Sequence, residues 1–491
     1  MPDFQKNDIL KTSVIQNRGK KMYKNKYRKK LAGLLTTVLL ATTICSGHVL
    51  AEEKEPVDTR TKEGEAISTE EAYAMEVDSN AWEGWPQGPQ TYGEADIVMD
   101  ADTGAILYAK NIDGKAYPAS ITKVLTLLIA LENGNLEDKV TFSTESVHCV
   151  PYGYAHIGMK AGEEITLEDA LYGMMLASAN EVAYAIGDSV GESYEWFIQE
   201  MNDRCKELGA VNSNFVNTNG LDDENHYTTA RDMALITQEL LLHHPEFQKI
   251  SQTLQYTIPA TAMAESRTFQ QNHKMFYVTH NNYDERVIAG KTGYTDIAKN
   301  TLVTCSDDGQ MKLICIALKT HGTNVYNDTQ ALLNYGYDNF EQIDVSSLEK
   351  SKDIGSFVGT SFVTVPKGIS FDDLKMELTP DEKNQGKGKA VYTYNGKIVG
   401  ELEIEYSQSY LKANSSEIEI PEKEENSKKE GSSFKTYIKY GIIGILVIIG
   451  LLFVVVAILI IRKRKIEKER RRRRAAMRRR RMQEQRRREG E

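Results

Sequence analysis

Cysteine is scarce in this chain, with five residues among 491. One lies in an apolar N-terminal segment, and the others are Cys149, Cys205, Cys305 and Cys315. Four cysteines in so long a sequence do not form the dense bridge network of small disulfide-rich secreted proteins. The length instead allows two or three domains with a sizeable hydrophobic core. Which of the thiols pair, if any, stays open.

A complete nucleotide-binding loop is also missing. Gly290, Lys291 and Thr292 resemble the end of a P-loop, but that motif needs a glycine five residues before Gly290. Glu285 occupies that position. The sequence therefore does not predict binding of nucleoside triphosphates, and we expect neither a metal ion nor another cofactor.

The net charge of −10 conceals a strong asymmetry along the chain. Residues 1–30 carry a net charge of +8 and residues 462–491 a net charge of +12, which leaves −30 for the remainder. The first basic block is followed by an apolar stretch from Leu31 to Ile44 and by small residues up to Ala51. This order is typical of a secretory signal peptide, which we place at residues 1–51.

A second apolar run near the C-terminus predicts a transmembrane helix at residues 438–461. Residues 441–461 contain no charged side chain, and a helix of that length spans about 30 Å of hydrocarbon. The Arg-rich tail that follows, 462–491, is predicted to be cytoplasmic by the positive-inside rule. We therefore expect a single-pass protein of the cell membrane with its acidic body outside. Anionic lipid is the expected partner of the tail, ahead of nucleic acid.

The central stretch of the sequence is Tyr117–Lys123, which continues into an apolar run ending at Glu132. Pro118 suits the first turn of a helix, and the apolar residues predict that this helix is buried. Residues three apart lie on one helix face, so the Lys123 amine is expected beside the Ser120 hydroxyl. A buried amine can deprotonate a neighbouring serine. We therefore predict that Ser120 is a nucleophile and Lys123 its base.

Two further motifs give weight to this prediction, because the Ser-x-x-Lys spacing alone recurs at residues 347–350 and 432–435. Ser178-Ala179-Asn180 separates two apolar helical runs, and Lys291-Thr292-Gly293 closes a strand-like run that begins at Arg286. The order S-x-x-K, S-x-N, K-T-G is the set found in serine β-lactamases and penicillin-binding proteins.

Over residues 90–320 the chain resembles the low-molecular-mass penicillin-binding proteins, specifically the D-alanyl-D-alanine carboxypeptidases. The resemblance implies a serine-type hydrolase that removes the terminal D-Ala from peptidoglycan stem peptides and is acylated by β-lactams. It implies catalytic roles for Ser120, Lys123 and Ser178. It also implies that substrate is bound by Asn180, Lys291, Thr292, Gly293 and Tyr294, with the backbone N–H groups of Ser120 and Tyr294 forming an oxyanion hole.

The expected fold is α+β, with a serine β-lactamase/transpeptidase-like catalytic domain, a small all-β domain and one C-terminal transmembrane helix. A hairpin around residues 97–108 and strands near residues 286–318 predict a sheet built from both ends of the catalytic domain. We expect His226, which precedes a helix, to be structural. The predicted segments are a signal peptide (1–51), a flexible acidic leader (52–93), the catalytic domain (94–325), the β domain (345–412), a charged linker (413–437), the membrane helix (438–461) and the tail (462–491).

The sequence departs from the family pattern at two places near the motifs. Ala179 replaces the usual glycine, which predicts an added methyl group near the cleft, and Lys299 places a long cation next to the strand. Three alternatives stay open: an endopeptidase that cuts cross-links, a β-lactamase, and an inactive scaffold that binds stem peptides. The β-lactamase is disfavoured because the glutamate motif of its commonest class has no clear counterpart.

Overall fold

The computed structural model describes residues 55–60, 67–381, 384 and 386–414. The predicted signal peptide, membrane helix and Arg-rich tail lie outside these residues. Within the described part, no helix is both long and apolar enough to cross a membrane. The helices are α1 (Thr69–Ala74), α2 (Thr122–Asn133), α3 (Thr144–His148), α4 (Leu167–Leu176), α5 (Asn180–Ser189), α6 (Tyr194–Glu207), α7 (Ala230–His243), α8 (Pro245–Ser251), α9 (Val325–Asn339) and α10 (Gln408–Asn414).

The strands of the described part form a large antiparallel sheet and several smaller ones. The strands are β1 (Ala95–Asp100), β2 (Ile106–Lys110), β3 (Lys139–Thr141), β4 (Glu164–Thr166), β5 (Gln255–Ile258), β6 (Arg267–Gln270), β7 (Val287–Thr295), β8 (Lys299–Asp307), β9 (Lys312–Thr320), β10 (Phe340–Asp344), β11 (Ile354–Val358), β12 (Phe362–Pro366), β13 (Lys375–Pro380), β14 (Lys387–Tyr394) and β15 (Lys397–Tyr406). The large sheet has the order β2-β1-β9-β8-β7, so it is built from both ends of the predicted catalytic domain, as expected.

Helices pack on both faces of the large sheet. Along β1, Ile97 and Met99 belong to the core shared with the central helices, whereas Val98 belongs to a second core with Leu332 and Leu333 of α9. Adjacent strand residues point to opposite faces, which accounts for this division. The layers therefore enclose the sheet, and the α+β fold class predicted from the sequence is observed.

Helix α2 lies at the centre of the helical layer. Every residue from Thr122 to Ala130 is buried, and α2 contacts α4, α5, α6 and α7. This explains why the sequence is apolar on nearly all sides of the helix, since a helix exposed on one face would be polar there. A lysine at its first turn, Lys123, is consequently carried into the interior.

The predicted continuous helix from Tyr117 is wrong at its beginning. Ala119–Ile121 form a separate 3-10 turn, and the α-helix begins only at Thr122. The reason is the backbone of Ala119, whose φ of 50° is incompatible with α-helical geometry. Ser120 thus lies on a tight turn just ahead of α2, three residues from Lys123 as expected.

The K-T-G motif lies inside a strand and does not close one. Strand β7 runs from Val287 to Thr295, which continues the strand past the expected end at Gly290. It pairs with β8 through Thr292↔Leu302 and Gly293↔Thr301. Because β7 is the last strand of the sheet, its other edge is left facing the turn that carries Ser120, which contacts it.

The described residues ahead of β1 form hydrogen bonds with the catalytic part. Thr59 donates its backbone N–H to the Lys115 carbonyl at 2.8 Å. The buried Lys110 amine donates to the Ala72 carbonyl of α1 at 2.9 Å. Ser68 and Glu71 form a reciprocal capping box at the start of α1. The bonds of Thr59 and Ala72 therefore join the described part of the predicted leader to the catalytic part.

The C-terminal strands continue the second core. β11, β15, β14 and β13 form one sheet in that order, while β10 pairs with β12; β13 was not anticipated from the sequence. Val363 and Ala390 share a core with α9, and Thr364 donates to the buried Asp100 carboxylate at 2.8 Å. The predicted β segment and the large sheet are therefore joined by both apolar and polar contacts.

The cysteine thiols Cys149, Cys205, Cys305 and Cys315 are all free. Cys315 lies opposite Thr304, one position away from Cys305 on the neighbouring strand. The two thiols are therefore not directly opposite each other in the pairing of β8 with β9.

Gly220 allows the loop before α7 to approach the turn that carries Ser120. A Cβ atom at Gly220 would lie 1.8 Å from the Ala119 carbonyl oxygen, and its φ is +86°. Gly309 has the same φ of +86° but nothing within 4 Å of such an atom. Replacement by alanine therefore strains the backbone at both glycines, but only at Gly220 does it also create a steric clash.

We expect Gly220→Ala to destabilise the protein more than Gly309→Ala. Both replacements place alanine in left-handed backbone, at a cost of about 1–2 kcal/mol, whereas the clash at Gly220 adds roughly 1–3 kcal/mol more. Urea unfolding monitored by tryptophan fluorescence measures the difference. Equal losses of unfolding free energy would contradict the proposed close packing.

Candidate active site

The Lys123 amine contacts residues from three different parts of the fold. It lies 2.8 Å from Ser120 Oγ, 2.8 Å from Asn180 Oδ1 and 2.6 Å from the Asn219 carbonyl oxygen. Lys123 is fully buried, and Ser120 is half-buried. The structure therefore brings together the predicted nucleophile, the predicted base and one predicted binding residue.

The pKa of Lys123 is held well below its ordinary value. Burial disfavours its charged form most, the cation of Lys291 adds to this, and the nearby Glu181 opposes it. A neutral amine has two N–H donors and one lone pair. Because Asn180 Oδ1 and the Asn219 carbonyl can only accept, they take the two N–H groups. The lone pair is left for the hydroxyl hydrogen of Ser120, which is the arrangement that a general base requires.

Ser178 links this group to the sheet edge. It occupies the junction between α4 and α5 with a φ of 59°, and Lys291 Nζ donates to its hydroxyl oxygen at 2.9 Å. Ala179 is completely buried in the helical core. The methyl group of Ala179 therefore packs in the core between two residues of the site, Ser178 and Asn180.

Lys291 projects from β7 into the same site. Its amine also donates to the Thr292 carbonyl at 2.7 Å, and burial lowers its pKa to about 7. Thr292 is half-buried beside it, whereas the Tyr294 side chain is 57% exposed. A cation beside a hydroxyl is suited to binding a carboxylate.

Gly293 brings the strand against the backbone of the nucleophile. A Cβ atom at this position would lie 2.9 Å from the Ser120 nitrogen and 2.3 Å from Thr301 Oγ1. Thr301 in turn donates to the Pro118 carbonyl at 2.9 Å, which ties β8 to the same turn. Only glycine permits this contact, so the backbone N–H groups around Ser120 lie beside the strand.

His226 has a structural position, as expected. It is fully buried, with Nδ1 accepting from the Val216 N–H at 3.1 Å and Nε2 lying 2.8 Å from Thr122 Oγ1. Burial lowers its pKa to about 3. The ring is therefore neutral, and its remaining N–H is donated to Thr122, which anchors the start of α2.

Two partners of the site were not anticipated from the sequence. Asn219 contributes only its carbonyl oxygen, and a backbone group leaves no motif beyond the neighbouring Gly220. Glu181 follows Asn180 directly, but its contacts reach a loop far away in sequence. Within the described part of the chain, no group of three or more His, Cys, Asp or Glu side chains is arranged to bind a metal ion.

Comparison with solved structures identifies the fold. Penicillin binding protein 5 from Haemophilus influenzae superposes with a TM-score of 0.53 at 24% identity, covering 65% of this chain and 98% of that one. Penicillin binding protein 6B from Escherichia coli gives a TM-score of 0.51 at 21% identity, covering 67% and 98%. These similarities establish the penicillin-binding, transpeptidase-like fold.

Sequence comparison identifies the family. The family model described as D-alanyl-D-alanine carboxypeptidase matches residues 84–322. The D-alanyl-D-alanine carboxypeptidase DacF of Bacillus subtilis is 28% identical over 346 residues, 65% of this chain and 85% of that protein. DacC of Escherichia coli is 28% identical over 343 residues, covering 64% and 83%. The chain belongs to the D-alanyl-D-alanine carboxypeptidase family of low-molecular-mass penicillin-binding proteins.

Proposed function

We propose that this protein is a serine-type D-alanyl-D-alanine carboxypeptidase that removes the terminal D-Ala of peptidoglycan stem peptides through an acyl-enzyme on Ser120. The observation that carries the proposal is the hydrogen bonding of Lys123. Its two acceptor partners leave the lone pair for the Ser120 hydroxyl. The family relationship supports the same activity.

Acylation begins when Lys123 takes the Ser120 proton as Oγ attacks the carbonyl carbon of the penultimate residue. The tetrahedral oxyanion is stabilised by the backbone N–H groups of Ser120 and Tyr294. Collapse of this intermediate breaks the peptide bond, and the departing amine of D-Ala receives a proton from Lys123 by way of Ser178. Asn180 holds the substrate and keeps Lys123 in place.

Deacylation repeats the same steps with water as the nucleophile. Lys123 takes a proton from the water, which attacks the ester carbonyl, and Ser120 recovers its proton as the ester bond breaks. Lys291, Thr292 and Gly293 bind the substrate end, with Lys291 and Thr292 attracting the terminal carboxylate. Penicillins acylate the same serine because their carboxylate and amide carbonyl occupy corresponding positions.

We also propose that the protein is a single-pass membrane protein with its catalytic part outside the cell. The charge pattern of the sequence supports this: a signal peptide at 1–51, an uncharged run at 441–461 and an Arg-rich tail. The tail would bind anionic lipid of the inner leaflet. No observation favours the endopeptidase or scaffold alternatives.

Replacement of the nucleophile gives the first test of the activity. Ser120→Ala should reduce D-Ala release from a peptide ending in Lys-D-Ala-D-Ala by about 10⁴-fold or more and abolish the covalent penicillin adduct. Ser347 shares the Ser-x-x-Lys spacing, so Ser347→Ala is the matched control and should leave both unchanged. A penicillin adduct on the Ser120→Ala protein would refute the assignment.

The rate should depend on pH through both lysines. Lys123 must be neutral to act as the base, so kcat/KM should decrease as the pH drops below the lowered pKa of Lys123. Lys291 must be charged to attract the carboxylate, so kcat/KM should decrease as the pH rises above the Lys291 pKa of about 7. Lys291→Arg should lack the alkaline fall, because a guanidinium stays protonated. An unchanged alkaline limb in this variant would exclude Lys291 as its origin.

Truncation tests the membrane proposal. A chain ending at residue 437 should be recovered in the soluble fraction, whereas a chain ending at residue 461, which lacks only the Arg-rich tail, should stay with the membranes. Carbonate extraction followed by immunoblotting distinguishes the two. Recovery of the full-length chain in the carbonate-soluble fraction would contradict a spanning helix.

A further inference from the structure

An irregular segment, residues 154–160, runs along the catalytic lysine's partner Asn180. Asn180 donates both its backbone N–H and its side-chain Nδ2 to the Ala155 carbonyl oxygen, each at 3.0 Å. With Nδ2 occupied in this way, Asn180 Oδ1 is directed to Lys123. The orientation of the Asn180 amide therefore depends on where this segment holds the Ala155 carbonyl.

Glu181 holds the segment from the side of α5. Its Oε1 accepts the backbone N–H groups of Ile157 at 2.7 Å and Gly158 at 3.1 Å. Glu181 is 2% exposed, and its Oε2 has no hydrogen-bond partner among the described residues. A buried carboxylate that bonds only backbone N–H groups is costly unless these bonds are retained.

Arg267 of β6 holds the same segment from the other side. It donates to the Gly158 carbonyl at 3.1 Å and forms two hydrogen bonds, at 2.9 and 2.8 Å, with the fully buried carboxylate of Glu163. Gly158 has a φ of +74°, so the chain turns at this residue. The turn is therefore fixed at its N–H by Glu181 and at its C=O by Arg267.

We propose that Glu181 and Arg267 are positioning residues for acylation, which fix the Gly158 turn so that Asn180 keeps its amide oxygen towards Lys123. The proposal rests on the function proposed above for Ser120 and Lys123. Neither residue touches the reacting atoms. Both act through the Ala155 carbonyl, which is three residues from Gly158.

Release of the turn removes the constraint on the amide. If the Ala155 carbonyl moves away, the Asn180 side chain can rotate and present Nδ2 to Lys123, so that two donors face each other. Lys123 then loses one of its two acceptors, and its lone pair is no longer confined to the Ser120 hydroxyl. Small displacements of this kind lower rates by about 10²-fold where geometry is critical.

Glu181 also acts on Lys123 by its charge. The titratable groups that face Lys123 are Lys291 of β7, Glu181 of α5 and Cys149 after α3, together with the neutral His226. The Glu181 carboxylate raises the pKa of Lys123 against the effects of burial and Lys291. Removal of this charge therefore lowers that pKa further, and the acid limb of kcat/KM moves to lower pH.

Two substitutions of Glu181 in the full-length protein distinguish the effect of its charge from the effect of its side-chain length. Glu181→Gln keeps the length of the side chain and removes the charge, so the acid-limb midpoint should move to lower pH by roughly one unit. Glu181→Asp keeps the charge and shortens the side chain. It should leave the midpoint in place but lower kcat/KM and speed hydrogen exchange at the Ile157 and Gly158 amides.

Arg267→Met tests the other side of the turn. It should reduce kcat/KM by about 10-fold or more with no shift of the midpoint, because Arg267 acts only through the loop. Arg204 is a matched control, since it is also partly buried in ion pairs, with Glu132 and Glu239 of the helical layer. Arg204→Met should lower thermal stability without lowering kcat/KM.

Normal Ser120-dependent D-Ala release in the native chain, together with unchanged kcat/KM in both Glu181→Asp and Arg267→Met, overturns the positioning role alone. An unmoved midpoint in Glu181→Gln overturns only the effect of the Glu181 charge on Lys123. A folded native chain that releases no D-Ala overturns the proposed function, and the positioning role with it. Hydrogen exchange is independent of turnover, so it reports separately whether Glu181 holds the loop.

Discussion

An amine buried in the interior of a protein must find acceptors, and this requirement organises the structure around Lys123. Desolvation disfavours its charge, and its partners are neutral oxygens supplied by α5 and by the loop before α7. These elements, together with the turn that carries Ser120, must converge on one atom. The helical packing around α2 is what holds them there.

A second buried lysine, Lys291, supplies the positive charge of the site. Lys291 comes from the sheet, and its cation lowers the pKa of Lys123, so the two amines are poised for different protonation states. Ser178 accepts a hydrogen bond from Lys291 and stands between the sheet and the helices. The site therefore combines a neutral amine, which can take a proton, with a cation, which can bind an anion.

Close backbone contact makes this arrangement possible. Gly220 and Gly293 both approach the turn that carries Ser120, where a side chain would clash. The segment fixed by Glu181 and Arg267 completes the surroundings by holding Ala155 against Asn180. Close backbone contact, together with the helical packing around α2, thus holds the reacting groups in place.

Periodicity and short-range geometry were enough to predict the local features: the buried helix, the hairpin of β1 and β2, and the three-residue separation that brings Ser120 and Lys123 together. The groups that complete the site could be identified only from the folded chain. The Asn219 carbonyl leaves no side-chain signal in the sequence, and Ala119 adopts a left-handed backbone that its residue type does not suggest. Arg267 contacts the loop beside Asn180 only because β6 packs next to this loop, which lies about a hundred residues earlier in the chain. Long-range contacts of this kind depend on the packing of the whole core.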